Sequence, residues 1–374
     1  MIDPKKISIT VFFLFIMILC SGWGSVGHRK INQHAPASFP HSMVFLKASW
    51  TIFLADHGSD ADIRKGWDPD EEPKHYIDID DYPEFLINGK IPRTYDSVCA
   101  LHGLSFVIDK GTLPWATLIA FDSLKSCFQR QDWNKAGLFA ADLGHYVADG
   151  HQPLHITKNY DGQYTGQKKI HSRYESQLIG KYQDQIVYPD DSAFHQIQDV
   201  SDYIFGYIYL NYTVLDSLLM ADSTAYKMAG NVYSSQYYSL FWDLSKNFTI
   251  DLFKRASYSL AGLIYTAWIQ AGSPVIPANA IDELSPGNTL LLLNYPNPFS
   301  KETQICFMNN HSESNVLLGV YDITGKLVAV LHDGRMKAGM NEITWDATDY
   351  KRGIYYIRLK TDESIETIKA VLFH

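Results

Sequence analysis

The residues most able to do chemistry lie in Ala140-Ala-Asp-Leu-Gly-His145-Tyr-Val-Ala-Asp149-Gly-His151-Gln-Pro-Leu-His155. Side chains four apart on a helix share a face, so His145 and Asp149 can converge on one cation. Imidazole and carboxylate are the ligands that a borderline-soft divalent ion such as zinc prefers. Pro153 stops the helix, and His155 is delivered just beyond it. The same i, i+4 spacing returns in His171-Ser-Arg-Tyr-Glu175. One such pair alone reads as a surface helix with a hydrogen-bonded histidine. Two pairs together with His155 point to metal.

Two further stretches add potential ligands. Asp60-Ala-Asp62-Ile-Arg64 is followed by Lys74-His75-Tyr76-Ile77-Asp78-Ile79-Asp80. The acids Asp68, Asp70, Glu71, Glu72 and Asp80 read as a solvated face. His75, followed by apolar Tyr76 and Ile77, suits a core histidine and a ligand equally. Near the start, Trp23-Gly-Ser-Val-Gly-His28 sets a histidine five residues beyond Trp23. If Trp23 becomes the first residue of a processed chain, its α-amine, with a pKa near 8, can yield a proton to a metal. It would then bind through that amine and its own carbonyl. The alternative for this stretch is an N-terminal strap whose Trp fills the core.

The elements that must position these residues follow from pattern. Apolar residues recur at helical spacing over Ser42–His57, Leu113–Arg130, Asp132–Gly150, Ser172–Gln183, Ser192–Asp222 and Leu240–Ala271. Asp132 sits where a helix N-cap would, and Gly150 with Pro153 marks a stop. Long loops are expected at Gly58–Asp80 and Ile156–Ile170, on either side of the metal candidates. Residues 1–22 carry Lys5 and Lys6, an apolar run from Ile7 to Leu19 and Cys20-Ser-Gly22, the layout of a secretory signal cleaved after Gly22. A Pro- and Asn-containing stretch over 275–290 reads as a linker. After it come short alternating runs at Gln304–Met308, Asn315–Tyr321, Leu327–Leu331, Glu342–Trp345, Tyr355–Lys360 and Glu366–Leu372, a small all-β sandwich. The expected organisation is a signal at 1–22, a helical domain at 23–274, the linker, and a β domain at 291–374.

Composition narrows the function. The chain has 374 residues, a formal net charge of −9 and 14% aromatic residues. No basic block supplies the footprint of a protein that coats polyanions, so no stable nucleic-acid complex is expected. A cluster of cations could still capture one phosphate. Of the four cysteines, Cys20 falls in the signal and none of the rest has metal-ligand spacing. Cys99 and Cys127 suit ordinary burial, or a disulfide in an exported protein.

Trp-Gly-x-x-Gly-His, x-Ala-Asp, His-Tyr-Ile-Asp, Gly-His-Tyr-x-x-Asp…Gln-Pro-Leu-His and His-Ser-x-Tyr-Glu together resemble the superfamily of zinc-dependent phospholipases C and S1/P1 nucleases. The resemblance covers residues 23 to about 270 and implies an all-helical domain with three zinc ions. One ion would be held by Asp62, His75, His145 and Asp149, and a second by His155, His171 and Glu175. The third would take the amine and carbonyl of Trp23, with His28 and a bridging Asp149. It further implies cleavage of a phosphodiester by a zinc-bound hydroxide. Asp62 would orient the water or act as base, Tyr76 and Asp78 would contact substrate, and Arg64 would either contact substrate in the transition state or serve in a surface salt bridge. Glu175 and the short His155-to-His171 segment are similar to the phospholipases. The short Trp-to-His spacing is similar to the nucleases, so phospholipid and single-stranded nucleic acid are both candidate substrates. A non-catalytic zinc-containing surface protein and a metal-free adhesin are the readings of another class.

Tyr295-Pro-Asn-Pro-Phe, Val320-Tyr-Asp-Ile-Thr-Gly-Lys, Gly339-Met-Asn-Glu-Ile-Thr-Trp-Asp, Gly353-Ile-Tyr-Tyr and Lys369-Ala-Val-Leu resemble the C-terminal sorting domain of the type IX secretion system. That resemblance implies a partner in the secretion machinery and a secreted or cell-surface protein, expected to be a monomer.

Overall fold

The computed structural model describes residues 23–189, 196–274, 292–295, 299–309, 314–337, 339–362 and 365–373. The expected signal and the linker at 275–290 lie outside the described residues. The N-terminal part is helical: α1 (Gly24–His34), α2 (Val44–Asp56), α3 (Asp60–Arg64), α4 (Pro83–Asn88), α5 (Tyr95–His102), α6 (Leu104–Asp109), α7 (Leu113–Arg130), α8 (Trp133–Asp149), α9 (Ile170–Ser172), α10 (Ile179–Tyr182), α11 (Val200–Tyr212), α12 (Leu215–Ala229) and α13 (Ser235–Gln270). The mostly helical reading with a small β region behind it therefore holds.

Local chemistry explains the main boundaries. The Asp132 carboxylate accepts from the Lys135 amide at 3.3 Å and starts α8, and Ser234 caps α13 through the Tyr237 amide at 3.1 Å. α7 ends where Gln131 turns left-handed at φ 57°. Three expectations change. The segment Gly58–Asp80 is not a plain loop, because α3 and two short 3₁₀ turns, Glu72–His75 and Ile79–Asp81, lie in it. Ser172–Gln183 is not one α-helix: α9 passes into a π-helical turn, Arg173–Leu178, before α10. Ser192–Asp222 is not one helix either, since α11 and α12 are separate.

Two apolar cores flank the ligand-bearing helix. Ala140, Leu143 and Val147 of α8 pack with α7 and the lower half of α13. Ala148 instead belongs to a core built by Trp23, Tyr174, Phe241 and Phe253. His145 and Asp149, one turn apart, thus fall between the two. α1 is drawn against α8 by Asn32, whose amide donates to the Leu54 and Ala141 carbonyls at 3.1 and 3.2 Å. The close approach needs Gly144, where a Cβ would stand 2.2 Å from Asn32 Oδ1.

The C-terminal strands are β1 (Leu292–Tyr295), β2 (Glu302–Asn309), β3 (Ser314–Asp322), β4 (Leu327–Met336), β5 (Gly339–Asp346), β6 (Gly353–Lys360) and β7 (Ile365–Leu372). They form antiparallel sheets ordered β1-β2-β5 and β4-β3-β6-β7. Ile305, Phe307 and Trp345 of the first meet Leu318, Val320 and Ile357 of the second in one core. Alternating strands with one buried face give this sandwich.

Candidate metal centre

Eight of the nine proposed ligands supply side chains, and the fold brings all eight into one buried region. His28 comes from α1, Asp62 from α3, His75 from the turn Glu72–His75, and His145 and Asp149 from the last turns of α8. His155 follows the α8 stop, and His171 and Glu175 come from α9 and the π-helical turn. Their donor atoms form three groups, each within 4.8 Å: His28, His145, Asp149; Asp62, His75, His145; and His155, His171, Glu175. Asp60, the rival of Asp62, instead pairs with His57 Nδ1 at 2.6 Å.

The distances are those of atoms facing a common point. Asp149 Oδ2 lies 3.0 Å from His75 Nδ1 and 3.3 Å from His145 Nε2, and its Oδ1 lies 3.4 Å from His28 Nε2. Asp62 Oδ1 lies 3.7 Å from His75 Nδ1 and 3.6 Å from His145 Nε2. In the other group, His155 Nε2 and His171 Nε2 are 3.0 Å apart, and Glu175 Oε2 is 2.8 Å from the latter. Ligands ~2.0–2.1 Å from a tetrahedral zinc stand about 3.3 Å from each other.

Two imidazoles have their tautomers fixed from behind. A carbonyl can only accept, so His145 Nδ1–H donates to Gly58 O at 2.8 Å and leaves the Nε2 lone pair facing inward. His155 Nδ1–H likewise donates to His75 O at 2.7 Å. Such outer contacts are how metal-ligating histidines are oriented. Several inward atoms have no hydrogen-bond partner although buried: His28 Nε2, Asp62 Oδ2 and Asp149 Oδ1. Buried polar atoms are almost always satisfied, so this concentration of orphans fits a cation.

The electrostatics agree. Burial alone would lower His145, but Asp62 and Asp149 raise it to about 9. Burial pushes Glu175 up to about 8. Burial would also raise Asp149, but His155 and His145 hold it well below the usual carboxylate range. Burial and the neighbouring His145 lower His28 to about 4, which keeps it neutral and able to ligate. The site draws protons onto some members to balance its carboxylates, a role that divalent ions fill better.

Trp23 supplies no side-chain ligand. Its indole is fully buried, donates from Nε1 to the Ala148 carbonyl at 2.8 Å and packs 4.6 Å from the Phe253 ring. Its carbonyl accepts from the Gly27 amide at 3.2 Å, which leaves one lone pair. Arg64 does not stand free for a substrate. It pairs with Asp142 at 3.0 Å and with Glu71 at 3.3 Å. Tyr76 is half-buried and donates its hydroxyl to the Asp109 carbonyl at 3.2 Å.

Sequence pattern misplaced or missed three groups. Glu71 and Asp80 are not on a solvated face: Glu71 is 1% exposed and Asp80 8%. Asp80 accepts from Thr157 Oγ1 and the Lys158 amide, tying the Ile156–Ile170 segment to the His75 segment. Lys65 went unremarked, yet its ammonium lies 2.6 Å from Asp62 Oδ1 and bears on His171. Its i+3 relation to Asp62 was the available signal. The disulfide alternative fails, since Cys99 and Cys127 are both free.

Asp78 is half-buried, and burial, against the opposing charge of Lys110, pushes its carboxyl up to about 7, helped by Asp80, Asp81 and Asp109. A carboxyl whose folded pKa is raised contributes stability that is full below about pH 4 and lost as pH rises through 7. Asp78→Asn is therefore expected to leave the urea midpoint of the chelated protein unchanged at pH 4 and raise it at pH 8. Parallel denaturation of both proteins from pH 4 to 8 checks this, and a constant difference would refute it.

Comparisons with known proteins bear on the two regions differently. No curated protein matches the chain. Among solved structures, alpha-toxin of Clostridium perfringens from an avian strain is similar at 11% identity and TM-score 0.42, over 94% of this chain and 97% of that one. Alpha toxin from Clostridium absonum is similar at 11% identity and TM-score 0.41, over 95% and 98%. Scores that low leave the reading of the helical region to its own geometry. For the C-terminal region, residues 294–373 match the family model of the secretion system C-terminal sorting domain, which implies contact with the type IX secretion machinery and marks the chain as secreted or cell-surface.

Proposed function

We propose that the helical region, residues 23–274, is a secreted trizinc phosphodiester hydrolase of phospholipase C-like type, joined through a linker at 275–290 to its sorting domain. One observation carries this reading: eight His, Asp and Glu side chains from six segments converge, buried, with unpartnered atoms turned inward. A structural zinc site closes its coordination with four ligands, so eight point to more than one ion.

The nitrogen–oxygen donor set suits zinc. His145 has one inward lone pair and serves one ion, because its other nitrogen is committed to Gly58. Asp62, His75, His145 and Asp149 would hold one ion, and His155, His171 and Glu175 a second. The group around His28 then needs donors besides His145. The amine and carbonyl of a processed Trp23 would supply them, together with Asp149. When bound, paired ions lower the pKa of water towards neutrality and neutralise phosphoryl oxygens.

The chain's own residues would do the rest. Asp62 is the least buried of the side-chain ligands, so the mouth of the site lies on its side. Its carboxylate can orient a water there and accept its proton. Lys65, held against Asp62, is placed to meet a phosphoryl oxygen and stabilise charge that grows in the transition state. Tyr76 and Asp78, half-buried on the strand of chain that follows His75, are the proposed substrate contacts. Arg64 keeps the support role that its ion pairs define.

The test is hydrolysis of bis-nitrophenyl phosphate, phosphatidylcholine and single-stranded DNA by the zinc-loaded protein beginning at Trp23, with and without chelator. Phosphatidylcholine turnover that chelator abolishes is the expected result. Turnover of DNA alone would move the chain to the nuclease branch. Tight zinc without any turnover would make it a binding protein.

A further inference from the structure

We propose that Glu71 is a positioning residue of the metal centre, which orients His75 and fixes its tautomer, a role that rests on the metal-centre reading above. His75 differs from its partners. Its Nδ1 faces inward, 3.0 Å from both Asp149 Oδ2 and His145 Nε2. Its Nε2 faces away from the centre and meets not a backbone carbonyl but a carboxylate, Glu71 Oε1, at 3.5 Å. That nitrogen makes no hydrogen bond among the described residues, so the carboxylate at ion-pair distance is the acceptor facing it.

The carboxylate is itself firmly placed. Lys74 Nζ lies 2.8 Å from Glu71 Oε2, Arg64 Nε 3.3 Å from the same oxygen, and Arg64 Nη2 3.4 Å from Oε1. The Tyr146 hydroxyl donates to Oε1. Arg64 is in turn anchored on Asp142 at 3.0 Å. Glu71 is 1% exposed, and its carboxyl is held well below the usual range: burial opposes this, while His75, Arg64, Lys74 and Tyr146 favour it. The far side of the network lines a cavity of about 600 Å³ with Trp115, Ile119 and Phe139.

Stability does not account for so many donors on one acid. A buried carboxylate with three cationic or hydroxyl donors is seldom worth more than a well-packed apolar group of the same volume. Orientation does account for it. Fixing the proton on Nε2 leaves the Nδ1 lone pair free for a cation, and a charged acceptor makes the imidazole a stronger donor to metal than a carbonyl would. α8 serves both shells: Tyr146 supports Glu71 from behind, and the residue before it, His145, ligates from in front.

The experiment is zinc titration against a chromophoric chelator, with total metal counted. Glu71→Gln keeps shape and loses charge; it is expected to weaken one ion by about 10–100-fold and leave the others as they were. Tyr146→Phe and Lys74→Gln each remove one support of Glu71 without touching His75, and smaller losses at the same ion are expected. They carry the test if Glu71→Gln does not fold. Urea midpoints in excess chelator separate folding from binding. Wild-type affinity for every ion in Glu71→Gln, or in both support variants where it does not fold, overturns the positioning role. A wild-type protein that takes up no zinc overturns the centre itself, which is a different result.

Discussion

Asn in place of Asp149 is expected to lose two metal ions and at least about a hundredfold of activity. The floor comes from the loss seen when an outer-shell partner of a ligand is removed, typically 10–100-fold. Asp149 is no outer partner. Its Oδ2 faces His75 and His145, and its Oδ1 faces His28 and, at 3.5 Å, His155. One carboxylate thus touches histidines from four segments. An amide of the same shape keeps a single weak acceptor and turns a donor towards imidazoles whose lone pairs point inward. Metal counting on Asp149→Asn checks this, and retention of all ions would show that the carboxylate bridges nothing.

Removing metal from the wild type is the second large effect. An ion held at about a thousand times its dissociation constant contributes about 4 kcal/mol to the folded state. At ~2–4 °C per kcal/mol for a region of this size, one ion corresponds to roughly 10 °C in Tm. Chelator is therefore expected to lower the transition of the helical region by about 10 °C or more. The fall is reinforced by what it exposes, since buried carboxylates and imidazoles would face each other without a cation. The β region has no comparable ligand group among its described residues, and its transition is expected to stay in place. A scan unchanged by chelator would mean that the acids and histidines balance one another unaided.

The ligand residues were legible because local spacing encodes them. His145 and Asp149, and His171 and Glu175, sit four apart, and the Pro after α8 announces where His155 must lie. The long helices were legible for the same reason, and the strands because alternation with turn residues between is a strong pattern. What eluded pattern was set by tertiary contact. Glu71 and Asp80 stand in an acid-rich run that looks solvated, yet Arg64, Tyr146 and Thr157 reach them from elsewhere in the chain. Arg64 was open to a salt bridge or to a substrate in the sequence, and its partners could not be named there, because its two acids are seven residues away and on another helix. The π-helical turn at Arg173–Leu178 has no local signature. Arg173 inside it is drawn to Asp222 at 2.8 Å and to the Tyr237 hydroxyl at 2.9 Å, contacts to α12 and α13 that no window of sequence displays.

The resemblance of spaced motifs supplied a metal count that spacing alone does not give. Geometry adds a constraint on it. With His145 able to serve one ion, the His28 group depends on donors beyond the side chains gathered there, which gives the processing expected at Trp23 a chemical reason.

The measurement that bears most directly on that account is phosphodiester turnover by the processed, zinc-loaded protein, followed alongside its metal content. About three zinc ions per chain, and hydrolysis of bis-nitrophenyl phosphate that disappears with chelator and returns with zinc, are the results expected. A fully metal-loaded chain that cleaves neither this ester, phosphatidylcholine nor single-stranded DNA would contradict it.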